Sequence, residues 1–568
     1  TRLKDNSGTA RASNEALSMA TGEFIALLDH DDIIPKDALY EVVRAINNVP
    51  DADVLYSDED KITEGGSHFG PFFKPAWSPE LLRCIPYVGH LTVVRRSLLG
   101  SIGGFDERFR NSPDYDLQLR LTDRARKVVH IPRVLYGWRM TQGSVSNVRN
   151  RKKFELLCKE NFNEIQKFAS DKKLGTVSTW VYPNVFRLTY YTKERPLVSI
   201  VIPTFDRVDL LKECLASIEK STYSNKEIIL ITNNLDQNSE MWAYLETVPH
   251  KVATYEQPFS WSEMSNLGAQ LASGDYLIFL NDDTRVATFD WIERLLEYAQ
   301  QPDVGAVGCR LLFPDGSSQH AGVSGDPIYV AYHQFRETRG DGYFSMTILS
   351  REVSAVTGAC MMTGKETFRK VGGFDSLLGY LYSDVDYCWR LGELGYRIIY
   401  AATATLYHNE GASRYRNVDR VRVAHNTVHM LRKWRSRLLA GDPFHNHNLT
   451  NAGIDLYQIH RFFFPAPQDP SCNMSVLLVS HDLNLEGASL GLFNLGRHLR
   501  SRGFSVAVVS PADGKLREEY TNHGIAVLII PNLGHLCSRG NEDLRMFMAS
   551  YDFIFANTIL MYPILCFV

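Results

Sequence analysis

Residues 12–32 read A-S-N-E-A-L-S-M-A-T-G-E-F-I-A-L-L-D-H-D-D, and residues 264–284 read M-S-N-L-G-A-Q-L-A-S-G-D-Y-L-I-F-L-N-D-D-T. Each stretch is a helical apolar pattern, a glycine turn, a short apolar run and a cluster of acids where that run ends. A short apolar run placed after a helix and a turn reads as a buried strand of an α/β sheet. Such sheets bind ligands just outside the carboxyl ends of their strands. Asp29, Asp31 and Asp32 occupy that place in the first stretch, and Asn281, Asp282 and Asp283 in the second.

A second pair of segments follows in the same order. G-G-F-D-E-R-F-R-N-S-P-D-Y-D-L-Q-L-R-L (residues 103–121) returns as G-G-F-D-S-L-L-G-Y-L-Y-S-D-V-D-Y-C-W-R-L (residues 372–391). Conserved order across two copies predicts two modules of one fold. The second copy opens with P-L-V-S-I-V-I-P-T-F-D-R (196–207), a helical stretch and K-E-I-I-L-I-T-N-N (226–234), which form a β-α-β unit. The first copy has no counterpart, because only 28 residues precede Asp29.

The expected organisation is a first α/β module over 1–171 that lacks its opening strands and a linker over 172–195. A complete module over 196–440, a Pro/Asn/His-rich linker over 441–472 and half of a Rossmann-like domain over 473–568 follow. The chain starts at Thr1 and stops inside an apolar run, so it reads as a piece of something longer.

Composition excludes several classes. The 568 residues are 44% hydrophobic and 22% charged with a net charge of −4, ordinary for a globular protein and unsuited to nucleic acid or an anionic membrane as partner. Nine scattered cysteines include no C-x-x-C pair, which predicts free thiols and a cytoplasmic location rather than disulfides or structural zinc. No signal peptide and no transmembrane run is read. Peripheral association at the inner face of the cytoplasmic membrane stays open.

The acids at the strand ends suit a hard divalent cation, Mg²⁺ or Mn²⁺, carrying a diphosphate. Asp114 and Asp384 are candidates for a base that takes a proton from an acceptor hydroxyl. Asp116 and Asp386 stand four residues before Arg120 and Arg390, the spacing of a helix-surface ion pair, and are assigned a structural role. His408, in T-L-Y-H-N-E-G-A-S-R, is a candidate to complete the metal site or meet a phosphate. The first copy has Gly137 at that place. H-N-H (445–447) reads as part of a polar connector, and D-E-D-K (58–61) as a solvated loop or an acceptor-side wall.

Taken together, these motifs resemble bacterial glycosyltransferase family 2, whose fold is GT-A. The resemblance covers most of the chain to about residue 440 in two copies. It implies a nucleotide-sugar donor, a saccharide or lipid-linked saccharide acceptor, metal assistance and inversion at the anomeric carbon. It places the D-x-D motif on Asp29-His30-Asp31 and Asn281-Asp282-Asp283, with Asp31 and Asp283 as metal ligands. It further puts the catalytic base on Asp114 and Asp384, the late histidine on His408, and Thr204 and Asp206 along the nucleotide. Gln319–Val323 and Thr357–Cys360 resemble family segments near the acceptor and donor sugar. Thr232 stands where the family often carries an acid that contacts the nucleotide base.

The tail from about Asn473 resembles the amino-terminal half of a family 4, GT-B glycosyltransferase. Chains with several such modules resemble enzymes of surface polysaccharide and O-antigen synthesis, many of them labelled rhamnosyltransferases. On this reading the first module and the tail are inactive alone. Two rivals are a nucleotidyltransferase, which would want a glycine-rich phosphate loop that P-T-F-D-R lacks, and a carbohydrate-binding scaffold with degenerate modules, which Gly137 favours for the first copy.

Overall fold

A computed structural model of the chain describes residues 8–109, 112–140, 151–233, 236, 239–410, 419–449, 462–472, 474–557, 561 and 564. The end of T-L-Y-H-N-E-G-A-S-R, the last Asn of L-I-T-N-N and most of the final apolar run lie outside the described residues. The class is mixed α/β, in two compact units. One is Thr1–Lys193 with Leu349–Glu352 and Phe444–Leu449; the other is Glu194–Ile348, Val353–Pro443 and Thr450–Val568.

In the first unit the sheet runs Phe24–Leu27, Thr92–Arg95, Val54–Ile62, His68–Phe72, with Val128–Arg139 also paired to Val54–Ile62. That last pair is parallel; the others are antiparallel. Side chains alternate between faces along these strands. Val54 and Val94 join Leu117 and Leu121 in one buried cluster, while Leu55 and Val93 join Ala38 and Leu135 in another. The sheet is therefore covered on both faces, as near-continuous apolar strands require.

Three parts of this unit depart from the sequence reading. Residues 172–195 are not a bare linker: they hold the antiparallel hairpin Gly175–Trp180 and Tyr182–Tyr190, in which Val185, Phe186 and Leu188 are buried. D-E-D-K is not a solvated loop, because it lies within the strand Val54–Ile62 and Asp58 is fully buried. Asp58 accepts from Lys74 N at 2.8 Å, His130 Nε2 at 2.8 Å and Asn446 Nδ2 at 2.9 Å. A buried carboxylate is tolerable only with such a set of donors. The same bond shows that H-N-H is no free connector, since Asn446 is buried and also donates to Lys74 O at 3.0 Å.

The long helix Arg151–Asp171 packs against the helix Pro113–Arg124 and buries Glu164. Burial pushes the Glu164 carboxyl up to about 9, and the charge of Asp116 adds to the rise. The folded state thus keeps a proton that the unfolded chain releases near 4.5, so stability falls as pH climbs between those values. A Glu164→Gln chain is expected to lose that slope and to gain about 1–3 kcal/mol at pH ~8. Urea unfolding from about pH 5 to about pH 9 measures it, and equal slopes in parent and variant would refute the assignment.

In the second unit one sheet runs Lys251–Tyr255, Lys226–Asn233, Val198–Thr204, Tyr276–Leu280, Cys360–Gly364, Val304–Leu312, Arg397–His408, Thr284–Val286. The first four strands are mutually parallel. Thr204, Asn233 and Leu280 therefore end at the same edge. Cys360–Gly364 runs antiparallel to Tyr276–Leu280, with Leu280 opposite Cys360, which brings the segment before it to that edge as well.

The tail forms its own sheet: Ala526–Ile529, Ser505–Ser510, Ser475–Val479 and Phe553–Ala556 are parallel, and Phe462–Phe464 adds an antiparallel edge. The F-F-F of the supposed linker is thus a strand. Its prolines sit just beyond the strand, which is why the stretch read as a linker. Among the described residues no helix is long and apolar enough to cross a membrane.

Candidate active site

Val198–Thr204 is buried throughout, and Thr204 ends it with its hydroxyl turned to the acids: Oγ1 donates to Asp282 Oδ2 at 2.7 Å. Burial pushes the Asp282 carboxyl up to about 7. The Thr204 bond opposes that rise, and the charges of Asp283 and Asp206 reinforce it. Asp206 itself is exposed. Thr232 lies inside the strand Lys226–Asn233 and is fully buried.

Asp283 meets His408 through sheet register. Thr284 pairs with His408 across an antiparallel ladder, and Asn409 N donates to Asp283 O at 2.9 Å. Asp283 Oδ1 then stands 3.0 Å from His408 Nε2, with both side chains 6% exposed. The approach is close but unaligned: Asp283 Oδ1 and His408 Nδ1 are sealed from solvent, and among the described residues neither takes part in a hydrogen bond. Asn281 completes the cluster, with Nδ2 3.4 Å from His408 Nε2 and Oδ1 accepting from Trp261 Nε1 at 3.2 Å.

Asp384 enters from the first turn of the helix Ser383–Glu393. Its Oδ2 accepts from Gly358 N at 2.7 Å and its Oδ1 from Val385 N at 2.9 Å. Glycine is required at 358 by close approach, since a Cβ there would lie 2.5 Å from the Trp261 ring and 3.4 Å from Asp384 Cβ. Asp386, two residues on, is fully buried. It takes Arg390 Nε at 2.8 Å, Trp434 Nε1 at 2.9 Å and Lys433 Nζ at 2.7 Å, so its oxygens are committed to holding the helix.

Asn281, Asp384 and His408 line one cavity of about 260 Å³, together with Thr357, Gly358, Gln319, His333, Tyr332 and Glu410. The sequence reading missed Glu410, whose signal was the acid two residues past His408. It also missed Trp261, which reads as an ordinary apolar helix residue.

The first copy assembles differently. Asp29 and Asp31 are exposed; Asp31 Oδ1 lies 3.7 Å from the adjoining His30 Nδ1, and Arg139 Nε donates to Asp31 O at 2.8 Å. Tyr136 Oη donates to Asp32 Oδ2 at 2.5 Å and accepts from Asp29 N at 3.3 Å. Asp114 lies in the first turn of Pro113–Arg124; burial raises its carboxyl, the charge of His90 opposes the rise and Asp29 adds to it. Asp116 pairs with Arg120 Nε at 2.7 Å, the counterpart of Asp386 with Arg390.

Gly137 bridges Ile33 with hydrogen bonds in both directions, and a Cβ at 137 would come within 2.3 Å of Ile62 Cδ1. The place of the histidine is occupied by Ile62. Gly137→His is therefore expected to cost about 1–3 kcal/mol by overpacking and to create no metal site. Thermal unfolding with and without Mn²⁺ checks this; a Mn²⁺-dependent gain in the variant alone would refute it.

Residues 199–372 match the family model Glycosyl transferase family 2, residues 3–169 the model Glycosyltransferase like family 2, and residues 473–562 the model Glycosyl-transferase family 4. The chain is 36% identical over 464 residues to the uncharacterized protein y4gI of Sinorhizobium fredii, covering 78% of this chain and 50% of that protein. It is 36% identical over 456 residues to the O-antigen biosynthesis protein RfbC of Myxococcus xanthus, covering 79% of this chain and 35% of that one. The chain thus spans half or less of the length of these relatives. Among solved structures, a mannosyltransferase of Pyrobaculum calidifontis in complex with GDP-Man and Mn²⁺ matches at 17% identity and TM-score 0.32, over 42% of this chain and 64% of that one.

Proposed function

We propose that this chain, which belongs to the multi-module glycosyltransferases with two family 2 modules and a family 4 segment, uses its second module to move a sugar from a nucleotide-diphosphate sugar to a saccharide hydroxyl. One observation carries the reading: Asn281, His408 and Asp384 converge on one cavity, with Asp283 against His408.

The residues fit a hard divalent ion. Asp283 Oδ1 and His408 Nε2 stand 3.0 Å apart, Asp283 Oδ1 takes no hydrogen bond among the described residues, and Asp282 adds a second carboxyl group. A carboxylate and an imidazole suit Mn²⁺, and carboxylates with phosphate oxygens suit Mg²⁺. When bound, such an ion would neutralise charge growing on the departing diphosphate.

The rest is done by the chain's own groups. Thr204 and Asp282 shape the bed of the nucleotide at the ends of the parallel strands. Asp384, fixed by two backbone donors, takes the proton of the acceptor hydroxyl as that oxygen attacks the anomeric carbon. Attack opposite the leaving group inverts that carbon, as the family resemblance implies. Holding both reactants in one cavity supplies part of the acceleration.

For the first module a second reading has support, because Asp31 is exposed and Ile62 fills the place of a histidine. In this reading it binds saccharide as a scaffold. The likeness to an O-antigen biosynthesis protein supports a place in surface polysaccharide assembly at the cytoplasmic face, with a lipid-linked acceptor and rhamnose among the donor sugars to try.

The test is release of nucleoside diphosphate from a panel of UDP-, GDP- and dTDP-sugars, with Mn²⁺, with Mg²⁺ and with chelator. The expected result is metal-dependent release from one donor. A folded chain that releases none from any donor would refute the transferase reading.

A further inference from the structure

The cavity beside Asp384 has a wall that the transfer chemistry does not use. Gln319 is 1% exposed and donates Nε2 to Glu410 Oε2 at 3.0 Å, and Arg336 Nη1 reaches the same oxygen at 2.7 Å. These bonds fix the amide so that its Oε1, sealed from water, takes no hydrogen bond among the described residues. Both bonds fall on Oε2 of Glu410, and among the described residues Oε1 takes no side-chain hydrogen bond.

The charges around the wall are equally one-sided. The Glu410 carboxyl is paired with the Arg336 guanidinium, Nη1 to Oε2 at 2.7 Å. Burial pushes His333 down to about 4, so its imidazole is neutral at ordinary pH. None of the described lining residues is Lys or Arg, and Arg336 is committed to Glu410. The wall offers oxygens that accept, a neutral ring and the phenol of Tyr332.

The geometry points to an acceptor subsite at Gln319 and Glu410 that takes the hydroxyl groups of an uncharged sugar and rejects an acidic one. It rests on the transferase reading of the same cavity. A neutral sugar brings hydroxyl donors for two acceptor oxygens. A uronate or phosphate brings further acceptors and a like charge next to Glu410 and Asp384, and such a mismatch is how a site discriminates.

The test titrates methyl β-glucoside and methyl β-glucuronide, which differ only at the sixth carbon, into the whole chain and reads binding by saturation-transfer NMR. The glucoside is expected to bind about tenfold tighter. Glu410→Gln is expected to narrow that ratio to about threefold or less, and Gln319→Met to weaken the glucoside. Thermal unfolding of each variant confirms that it is folded, and either variant alone suffices. Equal or tighter binding of the glucuronide, an unchanged ratio in Glu410→Gln, or no binding of either glycoside would overturn the proposal. Failure of the transferase reading appears separately, as no nucleoside diphosphate release in a chain that still prefers the glucoside.

Discussion

An Asp384→Asn chain is expected to bind nucleotide-sugar as the parent does and to transfer sugar about 10²–10⁴-fold more slowly. Gly358 N and Val385 N each hold one of the two oxygens, at 2.7 and 2.9 Å, which fixes the carboxylate at the cavity. Asparagine fills the same volume and keeps one oxygen for these donors, but it turns an N–H₂ group toward the other and has no basic lone pair for a hydroxyl proton. The loss corresponds to about 3–5 kcal/mol of barrier, the range expected when a positioned base is removed. Asp386→Asn makes the contrasting case. Its carboxyl is buried under Arg390, Lys433 and Trp434, so the substitution should lower thermal stability and change turnover mainly through that. Steady-state rates at saturating donor separate the two. A loss under about tenfold in a folded Asp384→Asn chain would move the base elsewhere.

What the sequence disclosed and what it hid follow one physical rule. Information carried by local spacing was legible: acids at the end of a short apolar run, a glycine turn before it, and Asp–Arg pairs four apart on a helix. Asp116 and Asp386 bond Arg120 and Arg390 as that spacing predicts. Information carried by distant partners was not. D-E-D-K looked solvated because four charged residues in a row have no local way to be satisfied. The donors for Asp58 come from Lys74, His130 and Asn446, and the last lies 388 positions away. F-F-F-P-A-P looked like a linker because prolines punctuate it, while its pairing to Ala526–Ile529 is also with a segment distant in sequence. Gln319 and Glu410 are 91 positions apart and carry no joint signal until the sheet brings Ser318–His320 and the end of Arg397–His408 to the same cavity. The repeat showed that the two copies share a plan. Only the structure shows why they diverge, since Ile62 stands where a side chain at 137 would have to go.

The second large effect concerns the metal. With a donor at a hundredfold excess over Kd, the parent chain is expected to gain about 2.7 kcal/mol of stability in the second unit, and Asp283→Ala to lose the Mn²⁺-dependent part of that gain. Asp283 and His408 are each about 5–8% exposed, so in the parent an anionic oxygen and an imidazole are held out of water facing each other. Such a pair is costly unless something cationic lies between or beside them. Removing Asp283 takes away a ligand and also relieves that cost. The variant's stability without metal should therefore be equal to the parent's or higher, while its response to Mn²⁺ vanishes. This opposite pair of signs distinguishes a metal ligand from a structural acid, whose removal would lower stability in both conditions. Asp31→Ala serves as the matched control. It removes an exposed acid from the first copy and should leave the Mn²⁺-dependent shift intact. Differential scanning fluorimetry of the three chains, with donor and with or without Mn²⁺, decides the matter. A shift that survives in Asp283→Ala and disappears in Asp31→Ala would transfer the metal site, and with it the chemistry, to the first module.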